Sequence, residues 1–420
     1  MFNIPQCLSQ RKGSFPTMSC ILGLFLLIST TCFLQATSGM KSQFSFRTHH
    51  TVRHPSFNAR NKRSLENRFF PAFMTEEMMA DEGSGVDPKL DAYIPSIPAV
   101  HPTKPPRTLD TFVPDLTCPF TCQCQLKLIQ CSNIRLKEVP AELPDNLEIL
   151  DLQDNKITEI KDDDLSNLVD LEVLILRNNK ISVIQRNALA PLVKLQRLYL
   201  SRNALTTIPP NIPTTIMELR LHDNSIKKIP KNAFKGLDQL ICAVLGNNPL
   251  AGDAIADGAF SDMSKLAFLR IAETNITSIP TGLPKSLKEL HLDSNMIKQV
   301  KKGDLADLVN IVRLGLSSNE IETVDDDAFK ALVHVKEIHM DYNQLTTVPH
   351  GFPDLKKLQT VLLHNNQISK LDNDSFCPLK RDYKRVMYTT ISLYNNKLND
   401  TPRNTYTCLN GHGSLHLGNY

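Results

Sequence analysis

The chain has 420 residues, and 47 Lys and Arg against 44 Asp and Glu leave a formal charge of +3. Its basic residues are scattered, which argues against a nucleic-acid binder, because such proteins gather them on one face. Two or three ordinary domains would fit this length, but the internal repeats described below void that count.

Residues 1–39 read as a secretory signal peptide. The apolar run at residues 21–34 (ILGLFLLISTTCFL) follows Arg11 and Lys12 and is too short to span a bilayer comfortably. Ala36, Ser38 and Gly39 then supply the small residues of a cleavage site, and Met18 is an alternative start. A signal anchor is the competing reading of the same run. No other stretch is apolar enough to act as a membrane anchor, so the mature chain is expected to be secreted and oxidised.

Residues 40–117 show no sustained period and contain Pro95, Pro98, Pro102, Pro105, Pro106 and Pro114, the pattern of an extended arm. Arg60-Asn61-Lys62-Arg63 suits a secretory-pathway convertase and equally suits a charged linker. Ser84 stands in Asp81-Glu82-Gly83-Ser84-Gly85, the acceptor pattern for a xylose-primed glycosaminoglycan, with Gly on both sides leaving the backbone open. His49, His50 and His54 read as solvated residues rather than metal ligands.

Residues 118–146 form a cysteine-rich cap, Cys118-x3-Cys122-x-Cys124-x6-Cys131. The end of a repeat stack exposes an apolar cross-section, and two disulfides in a short hairpin would close it. The spacing lacks a zinc-finger pattern, and the secretory setting favours disulfides over zinc. Four cysteines allow three pairings, and spacing does not choose among them.

From residue 147 to residue 398 one unit recurs. Residues 195–205, LQRLYLSRNAL, show it as L-x-x-L-x-L-x-x-N-x-L, the leucine-rich repeat signature. Leu198 and Leu200 point inward from a short strand while Arg197 and Tyr199 point the other way. Asn203 is polar at an interior position, so backbone groups of its own and adjoining turns must satisfy it. Asn155, Asn179, Asn224, Asn248, Asn295, Asn319, Asn343, Asn366 and Asn396 occupy the same ninth position, and Thr274 takes it in an eleventh copy. Steps run from 21 to 26 residues, and the last, Asn366 to Asn396, is 30. The expected fold is therefore an α/β-type leucine-rich-repeat solenoid, a curved parallel β-sheet with disulfide-bonded N- and C-terminal caps.

Cys242 falls at an outward strand position and reads as a shielded free thiol or an intermolecular partner, the free thiol being favoured. Residues 377–420 form the C-terminal extension and cap, where a bridge between Cys377 and Cys408 would tie the long step to the chain end. Sequons begin at Asn275, Asn373 and Asn399, with Asn275 expected to be exposed and Asn399 weakened by Pro402. Asp162–Asp164 and Asp325–Asp327 could coordinate calcium but read as solvated loops, and no metal site is assigned. The outward strand positions are polar and mixed in charge: Glu218, Arg220 and His222; Lys288, Glu289, His291 and Asp293; Lys336, Glu337, His339 and Asp341. At roughly 4.8 Å per strand this face extends about 50 Å, which suits an extended protein ligand and also allows self-association as a homodimer. Gly-x-Ser-x-Gly, His-Glu-x-x-His and phosphate-loop patterns are missing, so no catalytic residue and no cofactor is expected.

The cysteine cap, the repeat rhythm, the long step holding Cys377 and the closing Leu417-Gly418-Asn419-Tyr420 together resemble the class I small leucine-rich proteoglycans, the decorin, biglycan and asporin group. The likeness covers residues 118–420 and, more loosely, the Ser84 arm. It implies the pairings Cys118–Cys124, Cys122–Cys131 and Cys377–Cys408, and strands on the concave side. It also implies fibrillar collagen as partner, through Arg270 and an acidic residue for which Glu273 stands here. Ala267 and Phe268 replace a Ser-Tyr pair of that segment. Asn275 matches a glycosylated position of the group. The resulting expectation is a secreted extracellular-matrix proteoglycan that regulates collagen fibril assembly and spacing, with a chondroitin or dermatan sulfate chain on Ser84. The alternative is a soluble modulator of TGF-beta-like growth factors or cell-surface receptors, using the same face.

Overall fold

The computed structural model describes residues 118–372, 374–377 and 388–398, together with the backbone of residues 414–416. The signal segment, the arm with Arg60–Arg63 and Ser84, Asn373, Asn399 and Cys408 lie outside the described residues.

Each copy of the repeat contributes one three-residue strand to a 14-stranded sheet that begins at Gln123–Gln125 and ends at Ser414–His416. The first two strands are antiparallel, and every later pairing is parallel. Period-two alternation explains why these residues suit a strand buried on one side. The middle residue points into the core, as with Leu174, Leu198, Leu219, Leu269, Leu290 and Leu314, all 0% exposed. Its two neighbours face the concave side. Among the described residues the return path carries two-residue strands, such as Ala251–Gly252 paired with Asn275–Ile276, and one 3-10 turn at Phe352–Asp354. Stacked rings fill the wider back of the core, with Phe329 and Phe352 at 5.4 Å, Phe352 and Phe376 at 6.3 Å, and Phe234 and Phe260 at 5.8 Å.

What locks one coil to the next is the ninth-position asparagine. Asn319 Oδ1 accepts from the Ile297 amide of the preceding coil at 3.1 Å. Its Nδ2 donates back to Leu292 O at 3.0 Å and, within its own turn, to Leu316 O at 3.2 Å and Ser317 O at 3.1 Å. The same pattern recurs at Asn179, Asn203, Asn248 and Asn343. Thr274 cannot repeat it; its hydroxyl donates instead to Asn295 Oδ1. Beside this gap the coils close up, because a Cβ on Gly246 would sit 2.8 Å from Ala272 O.

The residue before each asparagine, and before Thr274, turns the chain off the sheet with a left-handed backbone, φ 48 to 58. Six of these eleven residues are Asn or Asp (Asp154, Asn178, Asp223, Asn247, Asn365 and Asn395), the types that tolerate this region best.

At the N-terminus the hairpin of Gln123–Gln125 and Leu128–Gln130 is stapled by Cys118–Cys124 and Cys122–Cys131, the pairings that the family resemblance implies. Cys377 is also disulfide-bonded, to a residue outside the described ones. Cys242 departs from expectation. Instead of a free thiol it is disulfide-bonded, its partner also outside the described residues, and it is 2% exposed. A thiol facing outward from a strand is accessible to a second cysteine in a way that an inward one is not.

Removing one asparagine should expose the cost of the ladder. Asn319→Ala strands the Ile297 amide in the core and leaves the Leu292 carbonyl with Asn295 Nδ2 as its remaining donor, and we expect about 2 kcal/mol lower stability in urea unfolding.

Candidate functional site

Parallel pairing without offset aligns the outward residues into columns. One runs Glu218, Cys242, Phe268, Glu289, Arg313, Glu337, Thr360, Thr390. Its neighbour runs Arg220, Val244, Arg270, His291, Gly315, His339, Leu362, Ser392. Charges that are far apart in sequence thereby meet across one strand spacing.

Two strands before Arg270 a cluster is centred on Glu218. It accepts from Arg220 Nε at 2.8 Å and from Tyr199 Oη at 3.0 Å, while Arg220 lies over the Tyr199 ring at 5.3 Å. Burial and the Glu218 charge push the Tyr199 phenol well above its ordinary range, so it stays a donor.

In the middle of the face Arg270 and Glu273, named from sequence, do come together. Arg270 Nη2 donates to Glu273 Oε1 at 2.7 Å, with the Arg side chain 24% exposed and the Glu side chain 52%. Glu273 occupies the left-handed turn position, φ 57, which aims it back toward its own strand. Beside the pair, the Phe268 ring lies 5.1 Å from the His291 ring.

The next coils hold a row of carboxylates and imidazoles. His291 sits between Glu289 Oε2 at 3.4 Å and Asp293 Oδ2 at 3.7 Å. Burial alone would lower the His291 imidazole, but Asp293 and Glu289 hold it above the usual histidine range. Burial would likewise raise Asp293; His291 and the Ser317 amide, 2.9 Å away, keep it low. Asp293 needs room above the adjoining strand, and a Cβ on Gly315 would lie 2.5 Å from its Oδ2. Glu337 is held by His339 and, at 2.9 Å, by Arg313 Nε; against the opposing effect of burial these lower its carboxyl from 4.5 to about 2. Further on, His364 Nε2 lies 3.5 Å from Asp341 Oδ2, and Tyr342 and Tyr394 flank its ring. Sequence reading named Asp341 of this last group but missed His364, Tyr342 and Tyr394, although they occupy the seventh and eighth positions of consecutive repeats and those positions were legible.

Other sequence candidates lie apart from this face. Asn275 is exposed and starts the return-path strand Asn275–Ile276, past the turn at Thr274. The Asp runs serve loop geometry. Asp162 accepts from the Asn187 amide at 2.8 Å, Asp325 from Gln299 Nε2 at 2.7 Å and from the Lys302 amide at 3.1 Å, and Asp327 pairs with Lys302 at 3.1 Å. Among the described residues no group of three or more His, Cys, Asp or Glu is arranged to hold a metal ion.

Comparison with known proteins places this architecture among leucine-rich-repeat chains. The leucine rich repeat family matches residues 145–205, 214–276, 264–321 and 310–368. Decorin from Bos taurus is 46% identical over 345 residues, covering 82% of this chain and 92% of the relative. Decorin from Homo sapiens is 45% identical with the same coverage, and biglycan from Xenopus laevis is 43% identical over 362 residues, 85% of this chain and 95% of the relative. Among solved structures, a chain in the octameric complex of Latrophilin 3, Unc5D and FLRT2 matches with a TM-score of 0.51 at 25% identity, over 55% of this chain and 86% of that one.

The depressed Glu337 carboxyl carries a pH signature. Its lowered value means stability that is complete above pH 4.5 and is lost as pH falls toward 2. The full shift corresponds to about 3 kcal/mol, and partial exposure of the pair trims it to about 2 kcal/mol. Glu337→Gln should lose about 2 kcal/mol at neutral pH and flatten the decline of the urea midpoint between pH 4.5 and pH 2 by the same amount.

Proposed function

The chain belongs to the class I small leucine-rich proteoglycans, non-enzymatic proteins of the extracellular matrix, and from that membership we propose that it binds fibrillar collagen through the concave face around Arg270 and Glu273. One observation carries the reading. Arg270 is presented half-way along the sheet in a partly exposed ion pair with a more exposed partner. An exposed pair of this kind contributes only about 0–1 kcal/mol, so exchanging Glu273 for a carboxylate of the ligand costs little. The guanidinium keeps a planar fork for that carboxylate, and Glu273 is freed to meet a basic side chain of the same ligand. A triple helix offers both charges along an extended rod, which the length of the face can follow. Phe268, buried two residues before Arg270 on the same side of the strand, makes the neighbourhood of the pair partly apolar and so strengthens the contact.

The arm supplies the second half of the function. With residues 1–39 removed as a signal peptide, residues 40–117 carry a chondroitin or dermatan sulfate chain on Ser84, and that polyanion spaces neighbouring fibrils by repulsion and bound water. N-linked glycans belong on Asn275, Asn373 and Asn399. An Asn275 glycan would leave the concave face open, because this residue starts a return-path strand. The C-terminal cap is closed by Cys377–Cys408, a pairing supported by the bonded state of Cys377.

Arg270→Ala should weaken co-sedimentation with collagen fibrils by about ten-fold and leave the thermal midpoint unchanged. Unaltered co-sedimentation would place the contact elsewhere. Protein secreted from animal cells should run as a broad band that sharpens on chondroitinase digestion and in Ser84→Ala. A sharp band before digestion would remove the glycosaminoglycan from the reading.

A further inference from the structure

Basic residues are spread along the chain, but carboxylates are not. Residues 173–237 hold eleven Lys and Arg against two acids, Glu218 and Asp223, while the chain as a whole is only +3. Both acids are engaged on the concave side. Glu218 has Arg220 at 2.8 Å and Arg197 at 3.9 Å, and Asp223 has Arg202 at 3.6 Å. The return path of three successive coils, at residues 180–194, 204–215 and 225–237, therefore carries no carboxylate.

Exposed cations collect there. Lys227, Lys228, Lys231 and Lys235 are all exposed on the third coil, and Lys180 and Arg186 are exposed on the first. Among the described residues none of these six has a carboxylate within ion-pair distance, whereas Lys194 on the flank is taken by Asp170 at 2.6 Å. Elsewhere the return path is balanced. Lys161 reaches Glu138 at 3.3 Å, Lys298 reaches Glu320 at 3.8 Å and Lys302 reaches Asp327 at 3.1 Å. The coil between the basic two is short, 21 residues from Asn203 to Asn224, and exposes only neutral groups such as Thr206, Thr207, Asn211 and Thr214. Contacts fix it between them: Asn211 Nδ2 donates to Arg186 O at 2.9 Å, and a Cβ on Gly236 would lie 3.7 Å from Thr214 Cγ2. Arg186 and the lysine row thus stand two coils apart, about 10 Å, across a neutral polar strip. Acids mark the limits of the patch. Asp162–Asp164 lie on the coil before, Asp253 and Asp257 on the coil after, where Ile255 faces Ile229, and Asp238 where the third coil turns toward its strand.

We infer that this patch binds a sulfated glycosaminoglycan chain. A row of like charges without counter-charges repels itself, so a polyanion laid along it gains attraction and releases small ions. Lys227 to Lys235 offer four ammonium groups within nine residues to a chain that carries negative groups at every sugar pair. Ammonium groups are compact and freely rotating, which suits sulfate esters whose positions vary along such a chain. Hydroxyls and amides of the neutral strip are placed for the uncharged sugar hydroxyls. A nucleic-acid strand fits less well, because bases stack on exposed rings and Phe234, the one aromatic in these stretches, is 1% exposed. The patch lies on the return path and not on the concave face. One solenoid can therefore hold a fibril and a glycan chain together. The inference rests on neither the Arg270 contact nor a chain on Ser84.

Full-length protein carrying Ser84→Ala would be titrated with labelled dermatan sulfate, beside the same polymer desulfated and a DNA duplex of equal charge. Saturable binding of dermatan sulfate is expected, weakening about ten-fold as salt rises from about 50 to about 150 mM. The combined variant Lys227→Gln, Lys228→Gln, Lys231→Gln and Lys235→Gln should bind at least about ten-fold more weakly at the lower salt. Its thermal midpoint should not fall, since all four side chains are exposed. Lys161→Gln, Lys298→Gln, Lys302→Gln and Lys330→Gln together remove the same charge from other coils and should change binding less than about two-fold. Collagen co-sedimentation by the first variant should be unchanged, which separates this surface from the Arg270 contact. Absence of binding, binding that survives desulfation, DNA held as tightly as dermatan sulfate, or an equal loss in the second variant would each overturn the proposal.

Discussion

The asparagine amide at the ninth repeat position is the interaction on which the rest of this solenoid depends. A carboxamide offers one acceptor and two donor hydrogens in a plane, and here both sides are consumed by backbone groups of two successive coils. That geometry allows little freedom in the distance or phase between coils. Strands therefore lie parallel without offset, even where the steps between asparagines range from 21 to 30 residues. Length variation is absorbed on the return path, where pairing is sparse and stacked phenylalanines fill what space the turns leave. The 30-residue step shows this directly, since Thr360 still faces Thr390 across it.

Thr274 is the exception that locates the proposed collagen contact. A hydroxyl is shorter and has one hydrogen, so the ladder cannot be continued through it. Small residues let the neighbouring coils approach instead, with Gly246 against the Ala272 carbonyl and Ala243 in the core next to Leu269. Arg270 and Glu273 sit in the coil where amide coupling gives way to close backbone packing. The left-handed turn position works to similar effect. Six repeats place a short Asn or Asp there, while Glu273 and Tyr342 put longer side chains at the same bend, where they meet Arg270 and His364.

The electrostatics of the face follow from column alignment. Glu289, Arg313 and Glu337 alternate in sign along one column and need no excess charge to stay apart from their neighbours. Histidines in the adjoining column take up the remaining carboxylates, so buried acids such as Asp293 remain ionised in spite of desolvation. Gly315 is required by this arrangement, because any side chain there would displace the Asp293 carboxylate.

Much of this was legible from residues alone. The repeat period, the strand alternation, the interior asparagines and the cap were all readable because each is a local pattern repeated many times over. Arg270 and Glu273 were named through resemblance, yet their pairing at 2.7 Å depends on the turn that brings position eight back to position five. Tyr342, His364 and Tyr394 are 22 and 30 residues apart in sequence (364 − 342 and 394 − 364) and were not joined by any motif. The bonded state of Cys242 was likewise hidden, since an outward position states where a thiol points and not what it meets. The sequence by itself determined the coil and its inward face, because burial and amide satisfaction are decided within one repeat and its neighbour. Only the tertiary structure decided which outward side chains meet, because that depends on the registration of strands some two dozen residues apart and on the direction of each turn.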